Sequence, residues 1–308
     1  MRLQRFVLLV FCGVMVGSGL VAGQENWPQF RGVAAGVVPD DPNLPETWSE
    51  TDNVIWATDI PGLSWSSPVI TGDHVFVTAA ISAGDEPIPI KGLYDPGMEN
   101  GSEGSDNEHR WMLYDLSFQT GQIRWQRELH SAPPPMKRHL KNSFASETPV
   151  TDGRRVYVYF GSIGLLGAFN LSGETVWTQE IDVYNTTLEM GTAASPILHG
   201  DRVYLVNDNT TRSFVAAYDK NNGDELWRVD RDERGQNWST PFVWENELRT
   251  ELVTAGTQGV RSYDLEGQLL WEIHGMSGLT IPTPFASHGL VYISSGYPGG
   301  GLRPVYAV

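Results

Sequence analysis

The sequence predicts an all-β protein: a β-propeller of four-stranded antiparallel blades whose ring is incomplete. Three observations carry that expectation. A glycine followed four residues later by a tryptophan recurs at Gly121 and Trp125, Gly173 and Trp177, Gly223 and Trp227, and Gly267 and Trp271. A Ser/Thr-Pro pair that opens an apolar run recurs at Ser67-Pro68, Thr148-Pro149, Ser195-Pro196, Thr240-Pro241 and Thr283-Pro284. Between the two lie further short apolar runs and a turn residue, Asp115, Asn170, Asp219 or Asp264, ahead of the glycine. Self-similarity at a fixed period marks a repeat architecture, and four antiparallel strands per repeat make a propeller blade.

Each repeat reads as strand A after the Ser/Thr-Pro, then strands B and C, a turn closed by glycine, and strand D with its tryptophan. Proline is tolerated as the first residue of a strand because its missing donor lies outside the ladder. The Asp or Asn side chain bonds the backbone of the turn that glycine completes. Trp125, Trp177, Trp227 and Trp271, with Trp56, are expected to wedge between neighbouring blades, each burying ~150–250 Å², or very roughly 4–6 kcal/mol of transfer energy before entropy is deducted.

The chain divides accordingly. Residues 1–23 pair Arg2 and Arg5 with an apolar run and small residues, the pattern of a cleaved secretory signal rather than a membrane span. Residues 24–52 are Pro- and Gly-rich and read as an extended lead-in along the propeller, and residues 53–60 as a lone outer strand carrying Trp56. Blades follow at about 65–129, 146–181, 193–231 and 238–274, with a partial blade at 282–308. At about 45 residues per blade that count leaves the ring short by roughly 80–150 residues.

Composition narrows the function. The formal charge is −16, and without Arg2 and Arg5 the chain holds 19 basic against 37 acidic residues. Such a chain lacks the electrostatic footprint for nucleic acid or an anionic membrane. The one cysteine, Cys12, lies in the export segment, so the mature chain is expected to have no disulfide, thiol nucleophile or Cys-based metal site. A periplasmic or secreted location follows, with no transmembrane segment in the mature chain and a monomeric state at full length.

Connectivity places the B-to-C and D-to-A loops on one face, here the loop face, and the A-to-B and C-to-D turns on the other, the turn face. The two largest insertions, residues 81–110 and 129–146, both fall on the loop face. Long loops gathered on one rim of a rigid scaffold are where binding concentrates. The Gly/Ser/acidic stretch over 97–108 reads equally as disordered. Candidate ligand-binding residues stand where the D-to-A loops meet the channel mouth: Trp65 and Ser66; Arg138, His139, Asn142 and Glu147; Asn237 and Trp238. Arg138 and Lys141 beside Asn142 offer a grip on a carboxylate or an acidic peptide. For any one Asn or Ser, satisfying loop backbone is the alternative role.

No metal site is expected. His74, His199 and His288 sit at A-to-B turns, and His109, His130 and His139 near the loop-face insertions lack the close spacing of a preformed pair. There is no Gly-x-Ser-x-Gly elbow and no phosphate-cradling loop ahead of a helix.

The repeats SSPVITGDHVFVTA…GQIRW, ETPVTDGRRVYVYFG…GETVW and ASPILHGDRVYLVND…GDELW resemble the pyrroloquinoline-quinone-type propeller repeats. Quinoprotein alcohol dehydrogenases and the outer-membrane assembly lipoprotein of Gram-negative bacteria share them. The resemblance covers residues 27–308, and the WPQFRG segment at 27–32 is similar to the opening of secreted members. It implies the propeller fold. For the dehydrogenases it implies a quinone cofactor with calcium and an adjacent cysteine pair, and no such pair stands in this chain. No catalytic residue is carried over. Two functions follow: an exported non-catalytic scaffold presenting its loop face to a protein, peptide or glycan, with no cofactor; or, alternatively, a quinone-dependent alcohol or sugar dehydrogenase.

Overall fold

Every glycine-to-tryptophan step is a hairpin in the computed structural model of the chain, which describes residues 26–85, 102–232, 235, 237–257, 259–296 and 302–308. The export segment expected over residues 1–23 lies outside the described residues, as do residues 97–101 of the Gly/Ser/acidic stretch.

Blade 1 comprises β1 (Val69–Thr71), β2 (His74–Ser82), β4 (His109–Ser117) and β5 (Ile123–Ala132), with a two-residue β3 (Ser102–Glu103) in the loop before β4. After β6 (Arg138–His139), blade 2 comprises β7 (Val150–Thr151), β8 (Arg155–Phe160), β9 (Leu165–Asn170) and β10 (Thr175–Glu180). Blade 3 is β11 (Ile197–His199), β12 (Arg202–Asn207), β13 (Ser213–Asp219) and β14 (Glu225–Arg231). Blade 4 is β15 (Phe242–Glu245), β16 (Thr250–Ala255), β17 (Gly259–Tyr263) and β18 (Leu269–His274). A fifth sheet has three strands, β19 (Phe285–Ser287), β20 (Leu290–Ser294) and β21 (Val305–Ala307). Each sheet is an antiparallel meander in chain order, and the described strands form no closed ring. Apart from strands, the described residues hold a single 3₁₀ turn at Thr187–Glu189.

The core is a stack of layers between blades. Phe76, Trp111 and Leu113 of blade 1 meet Val156, Val158 and Phe160 of blade 2. Tyr157, Leu166 and Trp177 then meet Leu205, Phe214 and Tyr218 of blade 3. Further layers join blades 3 and 4 and blades 4 and 5. Both faces of an inner sheet are covered, which is why β8, β12 and β13 read as near-continuous apolar runs rather than strict alternation.

The tryptophans join one blade to the next by a repeated contact. The indole N–H of Trp56 donates to the Phe118 carbonyl (2.8 Å), and those of Trp125, Trp177 and Trp227 to the carbonyls of Leu171, Lys220 and Leu265 (2.9 Å each). Each indole lies on the glycine of the neighbouring hairpin. A Cβ added at Gly121, Gly173, Gly223 or Gly267 would come within 2.5, 2.9, 2.6 and 2.8 Å of the rings of Trp56, Trp125, Trp177 and Trp227 respectively. At Gly223 the φ of 81° adds a second demand for glycine. A β-bulge beside each tryptophan of β5, β10, β14 and β18 shifts the register there, the local kink by which a sheet re-aims a side chain.

Two segments depart from expectation. Residues 53–60 form no strand: Ile55 is 92% exposed, and the segment is held through Trp56 and through the Thr58 hydroxyl, which donates to the Gly121 carbonyl (2.7 Å). Among the described residues no strand pairs with it, and a strand without a ladder has nothing to set its backbone. The lead-in is not only draped along the surface. Trp27 exchanges two backbone bonds with Ile70 (3.0 and 2.8 Å), Thr151 donates to the Pro28 carbonyl (2.8 Å), and Ala35 is buried in the layer between blades 4 and 5. It therefore crosses the inner strands that line the central channel.

Candidate functional site

The Ser/Thr-Pro motif does more than start a strand. The Ser67 N–H donates to the Thr148 hydroxyl (2.9 Å), the Thr148 N–H to the Ser195 hydroxyl (3.0 Å) and the Ser195 N–H to the Thr240 hydroxyl (3.1 Å). A belt of hydroxyls thus ties the inner ends of consecutive blades at the loop face. The signal lay in the sequence, because all five positions before the prolines are Ser or Thr.

The D-to-A insertion is built on the belt. Its strand β6 pairs with β3 of the other insertion, so the two loops brace each other. The Arg138 side chain is buried and donates to the carbonyls of Asn142 (2.6 Å), Leu140 (3.3 Å) and His139 (3.4 Å), lying 5.1 Å over the Phe144 ring. His139 accepts the Lys141 N–H on Nδ1 (3.0 Å). Phe144 sits at φ 59°, a costly conformation for a bulky residue. It is held there by Asn142 Oδ1, which accepts its N–H (2.9 Å), and by Trp111 and Ser162, which donate to its carbonyl (3.0 and 2.9 Å).

Five of the eight candidate residues converge on one backbone segment, residues 190–192. The His139 N–H donates to the Met190 carbonyl (3.2 Å), Trp238 Nε1 to the Gly191 carbonyl (3.0 Å) and Asn142 Nδ2 to the Thr192 carbonyl (2.9 Å). Glu147 bonds the Thr192 hydroxyl and accepts the Gly161 N–H (3.2 Å). The Arg138 guanidinium joins through Asn142. Sequence reasoning passed over Met190, Gly191 and Thr192, which carry no charge and no ring; what they contribute is main chain and the Thr192 hydroxyl.

Beneath this hub runs a buried polar network. Glu147 is 2% exposed, and burial pushes its carboxyl up to about 7 against the opposing hydrogen bonds of Thr192 and nearby amides. Tyr159, also raised by burial, accepts a bond from Asn207 Nδ2 (3.0 Å). Asn237 donates to Asp208 (2.8 Å) and accepts from the Thr257 hydroxyl (2.9 Å) and the Thr280 N–H (3.0 Å). Asp208 stands 3.4 Å from Arg231, both side chains fully buried. Tyr159, Thr192, Asn207, Asp208 and Asn237 line a cavity of about 10 Å³, near the lower limit of the room a water needs.

Trp65 and Ser66 stand apart from the hub. The Trp65 N–H donates to the Ser143 hydroxyl (3.2 Å) while the residue is 49% exposed, and Ser66 bonds Ser64 (3.0 Å) and the Thr78 carbonyl (3.3 Å). Arg138, expected to grip an acidic group, turns its Nη1 to three loop carbonyls.

Of the turn-face histidines, His74 bonds buried Asp115 (2.9 Å), and His199 lies 3.6 Å from Glu245. Among the described residues no three of His, Cys, Asp and Glu gather to hold a metal.

Radial four-stranded blades joined by indole wedges and a hydroxyl belt define a β-propeller repeat protein with a loop-bearing face. The chain belongs to the PQQ-like repeat family described as outer membrane protein assembly factor BamB, whose model matches residues 37–211 and again residues 161–297. Among solved structures, BamB from Moraxella catarrhalis is similar at 14% identity over 78% of this chain and 72% of that one, with a TM-score of 0.41. The quinohemoprotein alcohol dehydrogenase ADHIIG from Pseudomonas putida HK5 is similar at 13% identity and the quinohemoprotein alcohol dehydrogenase from Comamonas testosteroni at 12%, both with TM-scores of 0.46. Each covers 80% of this chain, which spans only 39% of their length. A comparison with curated proteins finds no match.

Proposed function

We propose that the protein is an exported, non-catalytic binding scaffold whose loop face engages a protein partner. The observation that supports this reading most is the hub at residues 190–192: buried Arg138, Asn142 and Glu147 are committed to pinning loop backbone, so the loops are preorganised and their rim is what meets solvent. Preorganisation lowers the ordering cost of association. On this reading Arg138, His139, Asn142, Glu147, Asn237 and Trp238 position the loops, while Trp65 and Ser66 at the mouth make the contact. Membership in a family described as an assembly factor favours a protein over a glycan, and the apolar, arginine-led segment at residues 1–23 supports export.

The test is a photoreactive side chain at position 65, with cross-linked products identified against the same label at exposed Leu302 on the last blade. A discrete product from position 65 alone is expected. Reconstitution with the quinone and calcium, scanned over alcohols and sugars with an artificial electron acceptor, addresses the dehydrogenase alternative. Turnover above a protein-free control overturns the scaffold reading.

A further inference from the structure

Two wide openings lie on the opposite, turn face. A cavity of about 560 Å³ occupies the central channel there, walled by the inner strands β7, β11, β15 and β19 and by Pro28, Gln29, Val33 and Ala34 of the lead-in. A second, of about 770 Å³, shares Trp244, Glu245 and Ala286 with it and runs outward between the turns of blades 4 and 5, past Glu247 and Leu248. The two form one trough, longer than a compact ligand requires.

Its inner wall is strand edge. Three residues after each Ser/Thr of the motif stand Ile70, Thr151, Leu198, Val243 and Ala286. Ile70 turns both its N–H and its carbonyl to Trp27, and Thr151 turns its N–H to Pro28. In blade 5, Val291 gives both main-chain groups to Val308, so Ala286, opposite it in the ladder, directs its own away from β20 and into the channel. Leu198 and Val243 hold the same repeat position and line the cavity. The lead-in thus covers two of five inner edges, and the other three face the trough. Unpaired edges are templates for another strand. The walls are apolar through Ile197, Phe242 and Trp244, and the outer rim is acidic, with the Glu245 side chain 71% exposed and Glu247 beyond it.

We infer that the turn-face trough is a strand-addition site for an extended apolar segment bearing basic side chains, supplied by a protein partner. The main chain of that segment pairs with the edges of blades 3–5 as residues 27–28 pair with blades 1 and 2. Its apolar side chains enter the channel, and its basic ones meet Glu245 and Glu247. Main-chain bonds supply affinity and side-chain pockets supply specificity in this mode. The site is separate from the loop face and does not rest on the function proposed above.

The test uses the whole chain and an acetylated, amidated heptapeptide of alternating valine and lysine as the probe, followed by isothermal titration. Saturable binding on the order of 10–100 μM is expected. Methylating alternate peptide nitrogens keeps the side chains but removes main-chain donors, and is expected to weaken binding at least about tenfold. Reversing the rim charge with Glu245→Lys and Glu247→Lys, exposed at the end of β15 and in the turn after it, should cost a similar factor, an effect that shrinks in high salt. Slowed hydrogen exchange at Leu198, Val243 and Ala286 is the accompanying signature. Absence of saturable binding up to about 1 mM overturns the proposal, as does equal affinity for the methylated peptide, which would mark an apolar cavity rather than a strand site. All changes lie away from the loop face, so failure here leaves the loop-face reading intact.

Discussion

The junction of blades 2 and 3 and the junction of blades 4 and 5 are built from the same motifs with different outcomes. At the first, Trp177 is 8% exposed, lies on Gly223 and bonds the Lys220 carbonyl of the next blade, while the Thr148 N–H reaches the Ser195 hydroxyl. At the second, half-buried Trp271 bonds back to Glu251 of its own blade (2.6 Å), and the buried Thr283 hydroxyl finds no partner among the described residues. The turn-face trough opens at that second junction. The same residue type therefore serves two contacts: Trp177 reaches a carbonyl of the next blade, and Trp271 a buried carboxylate of its own.

The largest expected effect separates the two indoles. Trp177→Ala should lower unfolding free energy by about 3–5 kcal/mol, since it removes a buried indole from a packed layer. Trp271→Ala should cost less by at least about 1 kcal/mol, because the ring is only half buried. Equal losses in urea titrations would erase the distinction.

The buried carboxylates at the two junctions should respond to pH with opposite sign. Glu147, raised by burial to about 7, favours the protonated form in the folded chain, so its stability contribution is full below the ordinary carboxylate range and declines as pH rises through 7. The decline amounts to about 3 kcal/mol at most. Glu147→Gln should flatten the loss in thermal melts between pH 5 and 8. For Glu251, burial is outweighed by bonds from Ser262, Trp271, Asn246 and Arg249, and the carboxyl titrates below its usual range. Its contribution holds above that range and is lost as pH falls, so Glu251→Gln should flatten the acid limb instead.

Gly223→Ala places a methyl group 2.6 Å from the Trp177 ring at a positive φ and should cost about 1–3 kcal/mol. An unchanged midpoint would mean the hairpin yields freely to the indole. The smallest contrast lies in the belt. Ser195→Ala strands the buried Thr148 N–H and should cost about 1–2 kcal/mol, whereas Thr283→Val replaces a hydroxyl with no partner among the described residues and should be neutral or stabilising. Differential calorimetry of the pair resolves it.

The blades were legible in the sequence because each is assembled from local signals. Gly121, Gly173, Gly223 and Gly267 close turns, the Ser/Thr-Pro pairs open strands, and apolar runs lie between. The site was legible only as a neighbourhood. Residue type led to Arg138 and Asn142 as ligand groups, yet whether a guanidinium meets a ligand or three carbonyls depends on a loop path that composition does not encode. Residues 53–60 have strand composition, and no strand forms without a neighbour.

By itself, the sequence determined the repeat, the strand count per blade, and the spacing that delivers an indole to each glycine turn. All of these depend on residues a few positions apart, whose geometry the backbone enforces directly. Only the tertiary structure decided that the lead-in enters the channel, that residues 190–192 become a hub, and that Trp271 turns back on its own blade. Those outcomes depend on which unsatisfied donors and acceptors meet across gaps of tens of residues. Hydrogen-bond satisfaction at that range is settled by packing the whole molecule at once.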